Sequence, residues 1–176
     1  MTRSILALAA LVLALPALAA PPQSPASSTI GLEGTVLRVI DGDTLEMKPK
    51  AAGSAPMMVR LVDVDAPEIC QEGGAEAQRY LGELVLKQPV RLVLPGGRAT
   101  KDAQGLVHGT LWVADVQVNR RMVEEGWAWS VRVKWDRGPY VPQERMAIAL
   151  SRGVHRVGSK AITPWDFRKR HGPCPG

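Results

Sequence analysis

Two short stretches hold the residue types best suited to chemistry, Asp41-Gly42-Asp43-Thr44 and Arg60-Leu61-Val62-Asp63-Val64-Asp65-Ala66-Pro67-Glu68. Six of the 17 acidic residues (Asp41, Asp43, Glu46, Asp63, Asp65, Glu68) fall between residues 41 and 68, with Arg60 among them. Each stretch closes an apolar, strand-like run, so its carboxylates can leave a sheet and converge on a cation. Carboxylate oxygens suit a hard divalent ion, a further carboxylate can activate water, and a guanidinium fork matches phosphate oxygens. This set points to metal-assisted phosphodiester hydrolysis.

Each residue also has a plainer reading. Asp43 can cap the turn after Asp41-Gly42, and Asp65 can form an Asx turn before Pro67. Glu68 can be an exposed loop residue, and Arg60 a structural partner of Asp63 or Asp41. Asp41 itself serves as a turn former or as an outer support, and Asp63 as a solvated strand residue. Geometry adds a condition. On an ideal strand Arg60 and Asp65 face opposite sides, so a shared site requires the strand to end or bulge near Asp63. Pro67, which cannot continue a central strand, makes such a break reasonable.

The elements that must position these groups follow from periodicity. Residues 34–40, 44–48, 57–64, 90–94 and 106–113 read as strands, with a loose Ala/Gly/Ser loop at 49–56. In residues 74–87, Ala77, Tyr80, Leu81, Leu84 and Val85 mark one face of a helix. Residues 118–125, with Asn119 as a possible N-cap, and 142–152 suit two more helices, stopped by Gly126 and Gly153. Residues 161–176 read as an irregular basic tail. Five short strands with about three packed helices predict a mainly β, α+β fold, a five-stranded Greek-key barrel of the OB type over residues 30–160.

Upstream, Arg3, an apolar run and Pro16-Ala17-Leu18-Ala19 resemble a secretory signal over residues 1–19, followed by a linker over 20–29. Cleavage near Ala19/Ala20 predicts a secreted or periplasmic protein without a stable membrane anchor. In such a compartment the two cysteines, Cys70 and Cys174, are expected to form a disulfide, the alternative being two free thiols. Their separation, with no histidine at ligand spacing, argues against zinc. The net charge of +5 is uneven: residues 20–119 carry nine basic against twelve acidic groups, residues 120–176 twelve against five. A cation is drawn to the first part and a polyanion to the second.

Together the two acidic stretches resemble the staphylococcal nuclease family. The similarity continues through Gly74-Ala75-Glu76-Ala77, Val118-Asn119, Glu125-Gly126-Trp127-Ala128 and Pro164-Trp165-Asp166-Phe167-Arg168. The resemblance implies an OB barrel, a Ca2+ ion and cleavage of DNA and RNA phosphodiesters; single-stranded DNA or RNA is the expected substrate and a monomer the expected state. It implies that Asp43 and Asp65, with the backbone carbonyl of Ala66, hold the metal. Glu68 would activate water and Arg60 would clamp phosphate. Where family members carry a second arginine, in an Asp-x-Tyr-Gly-Arg stretch, this chain has Asp102-Ala103-Gln104-Gly105-Leu106. That departure predicts reduced activity or, alternatively, a non-catalytic OB module binding nucleic acid or another polyanion. His108, two residues on and on the same strand face, is a candidate replacement cation, or a plain surface histidine. Trp129, Arg132, Lys134 and Trp135 are candidate nucleic-acid contacts, by stacking and charge. Trp127 is assigned to the core, and residues 164–168 to docking of the tail.

Overall fold

The computed structural model describes residues 31–174, and the signal and linker expectations fall outside them. Five strands carry the barrel: β1 (Gly31–Val39), β2 (Thr44–Pro49), β3 (Met57–Leu61), β5 (Pro89–Val93) and β6 (Val107–Val113), with the two-residue β4 (Val64–Asp65) between β3 and β5. β1 pairs antiparallel with both β2 and β5, β2 with β3, and β5 with β6. A parallel β3–β6 pairing closes the barrel, as expected for the OB type. Alternation along β2 turns Leu45 and Met47 inward, where they meet Val59, Leu61, Leu92 and Leu111. Truncating one of these leucines to alanine would cost about 2–5 kcal/mol.

Short strands flank the barrel, one pair of them as a separate two-stranded sheet. β7 (Val116–Gln117) extends β6, and β8 (Trp129–Ser130) pairs with β4. Helix α1 (Gly74–Val85) lays Ala77, Leu81 and Val85 on the barrel, with Tyr80 and Leu84 beside them. Helix α2 (Val118–Glu124) is followed by Gly126, whose positive φ turns the chain away from it. Helix α3 covers Val141–Ala149, ending earlier than its sequence pattern suggested. Trp127 packs on the core beside Tyr80.

Two expectations are corrected. Asn119 does not cap α2. It is fully buried, accepting from the Leu111 N–H (2.9 Å) and donating to the Val62 carbonyl (2.8 Å), so it pins the end of β3 to β6. The tail is not irregular throughout, because Pro164–His171 forms a fourth helix, α4. Thr163 caps it, exchanging hydrogen bonds with Asp166, while Pro164 occupies the first turn, where its missing N–H costs nothing. Arg168, Lys169, Arg170 and His171 crowd its last turn, where the helix dipole favours positive charge. The Cys70–Cys174 disulfide ties the residues after α4 back beside α1. Among the described residues no helix is long and apolar enough to cross a membrane.

Candidate functional site

Asp43 is set by the turn between β1 and β2. The Ile40 N–H donates to the Thr44 carbonyl (2.8 Å), and the Asp43 N–H to Asp41 Oδ1 (2.9 Å), so Asp41 acts as the turn former. A Cβ at Gly42 would lie 2.6 Å from the Ala66 Cβ and 2.7 Å from that of Ala77, so only glycine lets the turn pack this tightly. The packing buries the Asp43 carboxylate. It accepts from Thr44 Oγ1 (3.0 Å), the Ala66 N–H (3.0 Å) and Arg60 Nη2 (3.1 Å). Burial pushes its pKa up to about 7, against the opposing pull of Arg60.

The strand break anticipated near Asp63 is present. β3 ends at Leu61, and Asp63 takes a left-handed conformation (φ 64°) that aspartate tolerates better than most residues. Asn119 holds the carbonyl of Val62 at this point. After the break, Asp65 swings to the side of Arg60, whose Nη2 reaches Asp65 Oδ1 at 3.2 Å. One guanidinium nitrogen therefore joins Asp43 and Asp65. The alternative partners of Arg60, Asp63 and Asp41, are not the ones it takes.

Glu68 enters through a residue the sequence reading did not place in the site. Arg168, from α4, forms a two-pronged pair with Asp65 (Nη1–Oδ1 3.0 Å, Nη2–Oδ2 2.9 Å), and its Nη1 also reaches Glu68 Oε1 (2.7 Å). These bonds, Asp65 foremost, raise the arginine pKa further, so its charge is permanent. Gln71, which is buried, braces the arrangement. Its Nε2 donates to the Ile162 carbonyl (2.6 Å) and its Oε1 accepts from the Glu68 N–H (3.2 Å). Signals for α4 were present in Thr163-Pro164-Trp165-Asp166, but none gave its direction.

His108 stands opposite Arg60 in the parallel β3–β6 register. Its Nε2 lies 2.6 Å from Asp102 Oδ2, and that contact, ahead of N–H bonds from Leu106 and Gln104, holds the Asp102 carboxyl below its usual pKa. Leu106 thus belongs to a loop organised by Asp102. Arg132 grips the buried Glu144 through both Nη atoms (2.9 and 2.6 Å), and Glu144 also accepts from the Ser130 N–H. Trp135, beside Lys134 on a single 3₁₀ turn, is 84% exposed. Trp129 meets His155 edge-on at 5.4 Å. A groove of about 550 Å³ opens beside Asp65, walled by Trp129, Val131, Pro164 and Trp165.

Among the described residues no three His, Cys, Asp or Glu side chains gather into a ready cage for a metal. The donor chemistry nonetheless fits a hard dication. Two carboxylates converge on one point, and a two-carboxylate set leaves coordination positions for water and phosphate. Asp43, held against its burial, is a carboxylate that a neighbouring dication would keep ionised.

The family profile described as "Staphylococcal nuclease homologue" matches residues 58–148. Protein ParB of Escherichia coli is 34% identical over 182 residues, covering 96% of this chain and 91% of its own length. An uncharacterized endonuclease of Haemophilus influenzae is 33% identical over 77% of this chain and 72% of its own. A micrococcal nuclease of Shigella flexneri is 33% identical over 56% of this chain and 58% of its own.

Proposed function

The chain belongs to the staphylococcal nuclease family, and on that basis we propose that it is an exported, calcium-dependent nuclease hydrolysing phosphodiester bonds of DNA or RNA. The observation that carries this reading is the meeting of Asp43 and Asp65 on Arg60 Nη2. Asp43, Asp65 and the Ala66 carbonyl would hold calcium. When bound, the ion would neutralise phosphate charge and acidify its water.

The remaining work falls to the chain's own side chains. Arg60 holds two phosphate oxygens in its planar fork. Glu68 takes a proton from water as the water oxygen bonds to phosphorus. The ester P–O bond breaks with its electron pair on the leaving oxygen, which acquires a proton from solvent. The groove between Trp129 and Trp165 offers aromatic faces to bases flanking the scissile phosphate, and Lys134 and the exposed Trp135 are further candidate contacts for the strand. Export is supported by the signal-like N-terminus and by the disulfide, which persists in oxidising compartments.

The test incubates the purified chain with single-stranded DNA and with RNA, in calcium and then in chelator. Chelator-sensitive cleavage is expected. Binding without cleavage in both conditions would replace the enzyme with the non-catalytic polyanion-binding module.

A further inference from the structure

Arg168 forms more contacts in the site than tail docking requires. Two guanidiniums bond to a single oxygen, Asp65 Oδ1: Arg60 Nη2 at 3.2 Å and Arg168 Nη1 at 3.0 Å. Arg168 also spans from Asp65 to Glu68, joining the carboxylate proposed to face the metal to the one proposed to face water. Its side chain remains 35% exposed, so it lies at the mouth of the site. The helix that carries it begins with Pro164 and Trp165, which wall the groove beside Asp65.

Charge balance gives this placement a purpose. Asp43, Asp65 and Glu68, when ionised, exceed Arg60 and Arg168 by one negative charge. A dication turns that into a single positive charge, which one phosphodiester neutralises. Without Arg168 the loaded site would be neutral and would have no net attraction for substrate.

We propose that Arg168 is a second catalytic arginine, contacting the substrate phosphate together with Arg60 and stabilising the charge that builds on it during hydrolysis. This rests on the nuclease reading above. In the cleavage step Arg168 exchanges part of its pairing with Asp65 and Glu68 for phosphate oxygens. Its five donors in a fixed plane let it do both, where a lysine, a single point charge, serves less well. Because Arg168 and calcium share Asp65, the side chain also weakens metal binding slightly while promoting cleavage. Those two effects have opposite signs, and a purely structural arginine would not produce that combination.

The experiment compares wild type with Arg168→Ala and Arg168→Lys. It measures kcat and KM on a single-stranded oligonucleotide, calcium affinity by titration calorimetry, and thermal melting. Arg168→Ala should lower kcat about 10²–10³-fold, the usual loss for one preorganised donor to a transition state. Its calcium binding should tighten, millimolar guanidinium should restore part of the rate where sodium at equal ionic strength does not, and Arg168→Lys should lie between. An alanine variant as fast as wild type would overturn the proposal. So would a faster one, which would make Arg168 an inhibitory plug. So would a slow variant with weakened calcium binding and no guanidinium rescue, which would reduce it to tail docking. If wild type itself cleaves neither DNA nor RNA in calcium, the nuclease reading fails first and the proposal falls with it.

Discussion

Arg60, on β3, lies 17 residues from Asp43, in the turn leading into the paired β2, and 5 from Asp65 on β4, whereas Arg168 reaches the same Asp65 from 103 residues away. The sheet-borne half is positioned by backbone register: Thr44 opposes Arg60 in the β2–β3 ladder, and Arg60 opposes His108 across the β3–β6 closure. The helix-borne half is an addition to the finished barrel. It is tied at one end by Gln71 to the Ile162 carbonyl, at the other by Cys70–Cys174, and in the middle by the ion pairs of Arg168. In a barrel the geometry of the first half cannot be lost without unfolding. The second half can detach while the barrel remains folded, so activity should be lost there before the fold is.

Damage to the sheet-borne half should have the largest effect. Arg60→Ala is expected to lower cleavage of single-stranded DNA by about 10³-fold or more, the range for arginines that meet phosphoryl charge, with circular dichroism showing a preserved fold. Wild-type initial rates in this variant would show that the acidic window is not the reacting centre. Glu68→Gln should be comparably slow.

Releasing the helix-borne half comes next. Reducing Cys70–Cys174, or replacing Cys174 by serine, should bring the rate toward that of Arg168→Ala while calcium titration still finds the sheet-borne site. Closing a loop of this length contributes stability on the order of 4 kcal/mol by chain-entropy reasoning, so chemical unfolding of the reduced protein should shift accordingly. Undiminished cleavage after full reduction would show that α4 stays in place without its covalent tie.

The buried pin within the sheet-borne half offers a smaller effect. Asn119→Leu leaves the Leu111 N–H and the Val62 carbonyl without their buried partner. A loss of about 1–3 kcal/mol is expected in urea unfolding, typical of a buried group left unsatisfied. The break at Asp63 should loosen with it, so cleavage should fall as well.

The smallest effect concerns pH. Burial holds the His155 imidazole below its usual pKa of 6.5, opposed by Glu144. Below that pH the unfolded chain binds a proton that the folded protein resists, so the His155 contribution to stability should fall as pH drops from 7.5 to 5, opposite in sign to that of Asp43, whose raised pKa favours the folded state on acidification. His155→Gln should flatten that part of the melting-temperature profile. An unchanged slope would assign the acid sensitivity to another group.

Legibility in the sequence followed the same division. The parity conflict between Arg60 and Asp65 required a break near Asp63, and the structure has it, because strand alternation is a local rule. The five strands and the face of α1 were readable for the same reason. Asn119 was misread because an asparagine near a helix start has a common local use, and its role as a pin depends on β6 lying alongside. The start of α4 was written in Thr163, Pro164 and Asp166, yet composition made the tail resemble a basic coil.

The chemistry on offer was already written in the chain: hard oxygen donors and a guanidinium at strand ends, two cysteines able to join, and leucine rather than arginine at position 106. Those are properties of residue type and short-range spacing. That a different arginine reaches Asp65 and Glu68 was decided only when the barrel closed and the disulfide returned the tail to it. No periodicity relates residue 65 to residue 168, since their distance is set by the packed path of all the chain between them.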